Sequence, residues 1–236
     1  MEGKSLPVPA PMSGLPYHIL RVGDVLKDKV KIGLIADSLR SGRLMLYPTE
    51  TVYGIGCDAF SDAAVERVSR IKLRAQNRPL ILLVRDMDML RSLAAEVPPV
   101  AERLIGAFWP GALTLVFTAR SGISSMLTAG TGRLGLRLSP HPLIKSIFGV
   151  YDHPLVSTSA NRTGEEPVRS IPDAPRSLID KIDLVIDGGM ISAAPSTVID
   201  VTGKEVRCLR EGMIKKAEIE RVVYDRDKAV HGNEIQ

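Results

Sequence analysis

Two polar clusters in this chain each follow an apolar, strand-like run, and both are rich in groups that bind anions or orient substrates. The first is Tyr47-Pro48-Thr49-Glu50-Thr51-Val52-Tyr53-Gly54-Ile55-Gly56, behind Leu44-Met45-Leu46. Pro48 ends regular sheet pairing there, and the two glycines let the backbone turn or approach a ligand closely. The second, Ser157-Thr158-Ser159-Ala160-Asn161, offers hydroxyls and an amide that can orient carboxylate, phosphate and ribose oxygens without adding charge. Charge comes from Lys72-Leu73-Arg74, a mobile ammonium beside a planar fork, a pairing suited to a triphosphate that must be held and then cleaved. Arg137 lies on an apolar run, as a rim cation or as a buried fork for a carboxylate. Pro195-Ser196-Thr197-Val198 and Leu209-Arg210-Glu211-Gly212 add a hydroxyl pair and another arginine at element ends. Taken one at a time, each has a plain alternative: Ser/Thr turns that satisfy their own backbone, or cations at a helix C-terminus favoured by the dipole.

Several chemistries are excluded. Gly130-Thr131-Gly132-Arg133-Leu134-Gly135 fits the glycine pattern of dinucleotide-binding turns, but strand-like Leu136-Arg137-Leu138 follows it where a helix should open. A phosphate-binding loop ending in Gly-Lys-Ser/Thr does not occur. Cys57 and Cys208 form no paired motif and the four histidines lack ligand spacing, so no metal site is expected. Aromatics at 4% give no stacking platform for single-stranded nucleic acid. A net charge of +4 favours anionic partners without identifying one. The longest aliphatic run, Leu80 to Val84, is too short to span a bilayer, which predicts no membrane partner and a cytoplasmic location.

These residues need a framework, and the hydrophobic periodicity supplies an α/β one. Asp24 is expected to cap a helix running to about Arg40, with Gly42 behind it, and Ser61-Asp62 to open a second helix. Strands are expected at Leu80–Val84, Leu113–Phe117, Leu134–Leu138, Pro154–Thr158 and Asp183–Asp187, with Thr197–Val201 and Val206–Leu209 as a hairpin. Helices are expected near 86–94, 99–108, 141–148 and 215–224. With no internal repeat and no dividing linker, the reading is one α/β domain with a mixed sheet over residues 17–224, between a mobile arm (1–16) and a polar tail (225–236).

Taken in order, Tyr47 to Gly54, Lys72-x-Arg74, Trp109-Pro110-Gly111, Ser159-Ala160-Asn161, Pro195-Ser196-Thr197-Val198 and Arg210-Glu211-Gly212 resemble the YrdC/Sua5 family of threonylcarbamoyl-AMP synthases. The resemblance implies a twisted open sheet with a large concave cavity. It also implies a nucleotidyltransferase reaction in which L-threonine, bicarbonate and ATP give threonylcarbamoyl-adenylate and pyrophosphate, for the t6A modification of tRNA. By the same resemblance, Lys72, Arg74, Ser159 and Asn161 form a catalytic tetrad on the triphosphate and adenylate. Arg137 would pair with the threonine carboxylate, with Thr49, Ser157 and Ser196 around that amino acid, and Arg133 and Arg210 would contact the nucleotide. Mg²⁺ is expected to arrive on ATP, since no carboxylate cage is visible. Contacts with tRNA or double-stranded RNA, and a downstream threonylcarbamoyl-transfer machinery, complete the expected partners. Ala75 and Ala112 stand where many relatives place proline. Two alternatives are an RNA-binding module of the same fold and a carbamoyl-transfer paralogue with another acceptor.

Overall fold

The computed structural model describes residues 18–72, 79–162 and 164–224; the expected arm 1–16, the tail 225–236 and Arg74 lie outside the described residues. The chain begins with β1 (His18–Arg21), a short α1 (Val22–Leu26) and α2 (Lys29–Arg40). The single helix expected from Asp24 is therefore two. The carboxylate of Asp28 accepts from the backbone N–H groups of Val30 and Lys31 at 2.9 and 3.3 Å, so Asp28 rather than Asp24 is the capping residue of the long helix. Gly42, at φ +76°, takes the left-handed turn that follows.

Next come β2 (Met45–Tyr47), β3 (Gly54–Asp58), α3 (Asp62–Lys72), β4 (Ile81–Leu83), α4 (Met87–Leu93) and α5 (Pro99–Phe108). They are followed by β5 (Leu113–Thr118), α6 (Ser125–Thr128), β6 (Arg133–Arg137), α7 (Pro142–Phe148) and β7 (Leu155–Ser159). The chain continues through α8 (Arg176–Ile179), β8 (Leu184–Asp187), the antiparallel pair β9 (Thr197–Asp200) and β10 (Arg207–Arg210), and α9 (Lys216–Tyr224). The glycine-rich stretch before Leu134 runs into a strand, as its sequel required.

The strands form one mixed sheet in the order β1-β8-β2-β3-β7-β4-β6-β5-β9-β10. β3 is the element that periodicity misses: its two glycines have little strand preference, yet it lies between β2 and β7 with every residue buried. Because residues paired across strands share a face, the register aligns Gly54 with Ser159, Gly56 with Ser157, Ile81 with Gly135, and Gly135 with Val116. That face carries small side chains across the middle of the sheet. The core is Leu-, Ile- and Val-rich, with α2 and α3 packed on β3 and α5 against α9. Among the described residues no helix is long and apolar enough to cross a membrane.

Asp28→Ala is expected to lower the unfolding free energy by about 1 kcal/mol, whereas Asp24→Ala should change it by less than about 0.5 kcal/mol. Urea denaturation of both variants checks the position of the helix break.

Candidate functional site

The small-residue face is shaped first by Tyr47. A Cβ placed on Gly56 would lie 2.7 Å from the Tyr47 ring and 3.0 Å from the Val156 carbonyl, so only glycine lets the ring lie across β3. From there the Tyr47 hydroxyl donates to Ser157 Oγ at 2.7 Å. Burial pushes the Tyr47 phenol well above its ordinary range, which keeps it a protonated donor. Tyr53 ties the end of the same loop down: its hydroxyl donates to the Gly189 carbonyl at 2.8 Å and accepts from the Gly188 N–H at 2.9 Å. Burial pushes its phenol up to about 12.

Between these tyrosines, Thr49 Oγ1 donates to the Val52 carbonyl at 2.7 Å and accepts from the Thr51 and Val52 N–H groups at 3.1 and 3.2 Å. Thr49 lines the cavity, as the sequence suggests, but its hydroxyl is engaged in holding its own loop. Turn and pocket wall are the same segment.

At the C-terminal end of α3, Lys72 is 5% exposed and reaches the end of β7. Its ammonium donates to the carbonyls of Ser159 and Asn161, both at 2.7 Å, and to Asn161 Oδ1 at 2.6 Å. Ser159 Oγ donates to the same Oδ1 at 2.6 Å. Lys72, Ser159 and Asn161 are thus brought together as expected; Arg74 lies outside the described residues.

Arg137, at the end of β6, has a side chain only 5% exposed. Its Nη1 donates to Thr51 Oγ1 at 3.1 Å and lies 3.1 Å from Glu50 Oε1. Glu50 Oε2 accepts from Ser139 Oγ. Of the alternatives open in the sequence, Arg137 is the buried fork. Arg210 forms a third cationic group: its Nε donates to the Ser196 carbonyl and its Nη2 to Ser196 Oγ, each at 3.0 Å. The Ser196 hydroxyl also meets Thr114 Oγ1 at 3.0 Å. Burial, and then the field of Arg137, hold the Arg210 pKa below its usual value. Gly212 permits this arrangement, since a Cβ there would meet the Pro195 carbonyl at 2.1 Å.

These groups surround a cavity of about 610 Å³, within the range of about 300–1,000 Å³ usual for small-molecule sites. Its lining includes Thr49, Thr51, Lys72, Arg137, Ser157, Ser159, Asn161, Ser196 and Arg210, with Val52, Ile81, Val116 and Val198 as apolar wall. Three of these residues are cations and none of the described lining residues is an acid, so the site suits anionic ligands.

Arg133 is not brought to the lining with the others. It shares a face of β6 with Arg137 but is absent from the lining; its Nη1 pairs with Asp200 Oδ2 at 3.0 Å and its side chain is half exposed. Thr51 and Thr114 join the network without having been singled out. Thr51 stands two residues after Thr49 in the hydroxyl cluster, whereas an isolated strand threonine such as Thr114 gives no sequence signal. Among the described residues no group of three or more His, Cys, Asp or Glu could hold a metal ion. The donor set does not fit a resident Mg²⁺ site, which calls for carboxylate or other hard oxygen ligands held around the ion.

The Sua5/YciO/YrdC family model, described as "Telomere recombination", matches residues 37–212. A curated threonylcarbamoyl-AMP synthase of Pyrococcus abyssi is 35% identical over 194 residues, covering 82% of this chain and 57% of its own length. One of Chromohalobacter salexigens is 36% identical over 175 residues, covering 72% of this chain and 94% of its own. The crystal structure of P. abyssi Sua5 complexed with L-threonine superposes with a TM-score of 0.81 at 33% identity, over 88% of this chain and 61% of that one. This chain therefore spans less than two thirds of the Pyrococcus relative and nearly all of the Chromohalobacter one.

Gly56→Ala forces the Tyr47 ring aside and is expected to cost about 1–3 kcal/mol of stability, read from urea unfolding. Raised phenol pKa values favour the folded state below the unfolded tyrosine pKa of about 10. That contribution is lost as pH rises through the folded value, about 12 for Tyr53. Titration of tyrosinate absorbance, with Tyr53→Phe as the subtraction, should place the Tyr53 component near 12, and unfolding measurements should show stability falling across the same window.

Proposed function

The chain belongs to the Sua5/YciO/YrdC family, and we propose on that footing that it makes threonylcarbamoyl-adenylate and pyrophosphate from L-threonine, bicarbonate and ATP. The observation that carries this reading is the meeting, in one cavity, of a buried guanidinium with the Lys72–Ser159–Asn161 cluster. One group suits an amino-acid carboxylate and the other a polyphosphate.

In this scheme Arg137 takes the threonine carboxylate by charge-assisted hydrogen bonds. The threonine amine condenses with bicarbonate, losing water, to give a carbamate. A carbamate oxygen then attacks the α-phosphorus; the bond to the bridging oxygen breaks and pyrophosphate leaves with its electron pair. Phosphoryl chemistry of this kind depends on positioning and charge neutralisation. Lys72 holds charge at the end of β7, with Ser159 and Asn161 fixing its direction; the family resemblance assigns Arg74 to the same catalytic set. Arg210, across the cavity and braced by Ser196, takes a second anionic edge of the nucleotide. Ser157, fixed by Tyr47, and Thr49 with its loop shape the wall around the amino acid. Mg²⁺ belongs to the nucleotide as substrate, coordinated by phosphate oxygens and water. The adenylate would pass to a threonylcarbamoyl-transfer machinery acting on tRNA. The synthase name carried by relatives across species favours this reading over an RNA-binding module or a carbamoyl-transfer paralogue.

Pyrophosphate release from ATP should require both L-threonine and bicarbonate and should proceed without RNA; a folded sample that stays silent while binding structured RNA tightly would overturn the reading. Lys72→Ala should lower turnover by about 100-fold or more while circular dichroism shows the fold retained.

A further inference from the structure

Glu50 is an acidic side chain that meets the cavity-lining Arg137 without lining the cavity itself. Its Oε1 lies 3.1 Å from Arg137 Nη1 yet makes no hydrogen bond, so the contact is ionic rather than a paired fork. Its Oε2 is held by Ser139, two residues past Arg137, and the neighbouring Thr51 takes the hydrogen bond of the same Nη1. The position of Glu50 is itself fixed, because Thr49 bonds the loop on both sides of it. Glu50 does not line the cavity, whereas Arg137 does. On Arg137 the Nε atom is buried and makes no hydrogen bond among the described residues.

From this geometry we propose that Glu50 is a positioning residue for the amino-acid substrate. It secures Arg137 by the Nη1 end and so sets the orientation in which the guanidinium meets the substrate carboxylate. The inference rests on the reading that Arg137 receives that carboxylate. A guanidinium offers a side-on fork at its Nε edge, and a fork binds a planar carboxylate only if its orientation is set beforehand. Glu50 also supplies a negative charge to the Arg137 guanidinium, which shares the cavity lining with Arg210. Glu50 is not a proton acceptor for the reaction, because it does not line the cavity and Ser139 occupies its second oxygen.

Steady-state pyrophosphate release by the full chain, with calorimetry of L-threonine binding, tests this. Glu50→Gln should raise the KM for L-threonine by about tenfold, while the KM for ATP and kcat stay within about twofold. In an Arg137→Ala background the same substitution should leave the threonine KM unchanged, since the two residues act as one unit. Ser139→Ala, which only loosens Glu50, should shift threonine binding in the same direction by less, and it decides the matter should Glu50→Gln fail to fold. Equal losses for threonine and ATP, or an undiminished effect of Glu50→Gln without Arg137, would reduce Glu50 to a structural staple. An active wild-type chain whose threonine KM ignores Glu50→Gln removes this proposal alone. A wild-type chain with no threonine-dependent pyrophosphate release removes the synthase reading, and this proposal with it.

Discussion

Moving a cation out of water into a protein interior costs several kcal/mol per ion unless acceptors surround it, and this structure buries two on the wall of one cavity. Lys72 and Arg137 are 5% and 4% exposed. Both polar clusters answer that cost. The β7 end supplies carbonyl and amide oxygens to the Lys72 ammonium, and the β2–β3 loop supplies the Thr51 hydroxyl and the Glu50 carboxylate to the Arg137 guanidinium. The clusters and the cations are therefore one feature. Each loop supplies the acceptors that its cation needs in order to remain buried.

The sheet makes room for them by being thin along one stripe. Gly54 and Gly56 on β3 and Gly135 on β6 face the same side as Ser157 and Ser159, so the middle of that face is recessed. Tyr47 fills part of the recess and ends on Ser157. At the far wall, Gly212 allows the Arg210 segment to sit against Pro195, and Thr197 bonds Gly212 and Ile214 to keep it there.

Much of this was legible from sequence because its signals are local. The apolar period of α2 and α3, the buried run of β4 and the polar ends of β2 and β7 all depend on neighbours within a few positions. What stayed hidden depends on partners far along the chain. β3 is a strand because β2 and β7 flank it, although its glycines argue otherwise. Arg133 and Arg137 stand on one face of one strand and each meets a distant carboxylate, Asp200 and Glu50, yet Arg137 alone of the two lines the cavity. Glu50 had no role to read until Arg137 was placed next to it. The break before α2 was local but ambiguous, because Asp24 and Asp28 are both capping residues by type and the geometry selects Asp28.

The placement of charge in layers has a consequence for how ligands meet. Carboxylates lie behind or beside the lining, Glu50 against Arg137 and Asp200 against Arg133, while the lining itself presents Lys72, Arg137 and Arg210. Inside the lining, Arg137 has the Glu50 carboxylate behind it, while Lys72 and Arg210 rest on neutral oxygen acceptors, so the cavity stays positive although its cations are satisfied. Burial, and then the field of Arg137, hold the Arg210 pKa below its usual value, so the two guanidinium groups of the lining oppose each other. An anion bound between them relieves that opposition, and an anion at either site lowers the cost of keeping the other cation in place. Two negatively charged ligands that repel each other in water can then be held within one small volume. A condensation between a carbamate and a polyphosphate demands that arrangement before any bond is made.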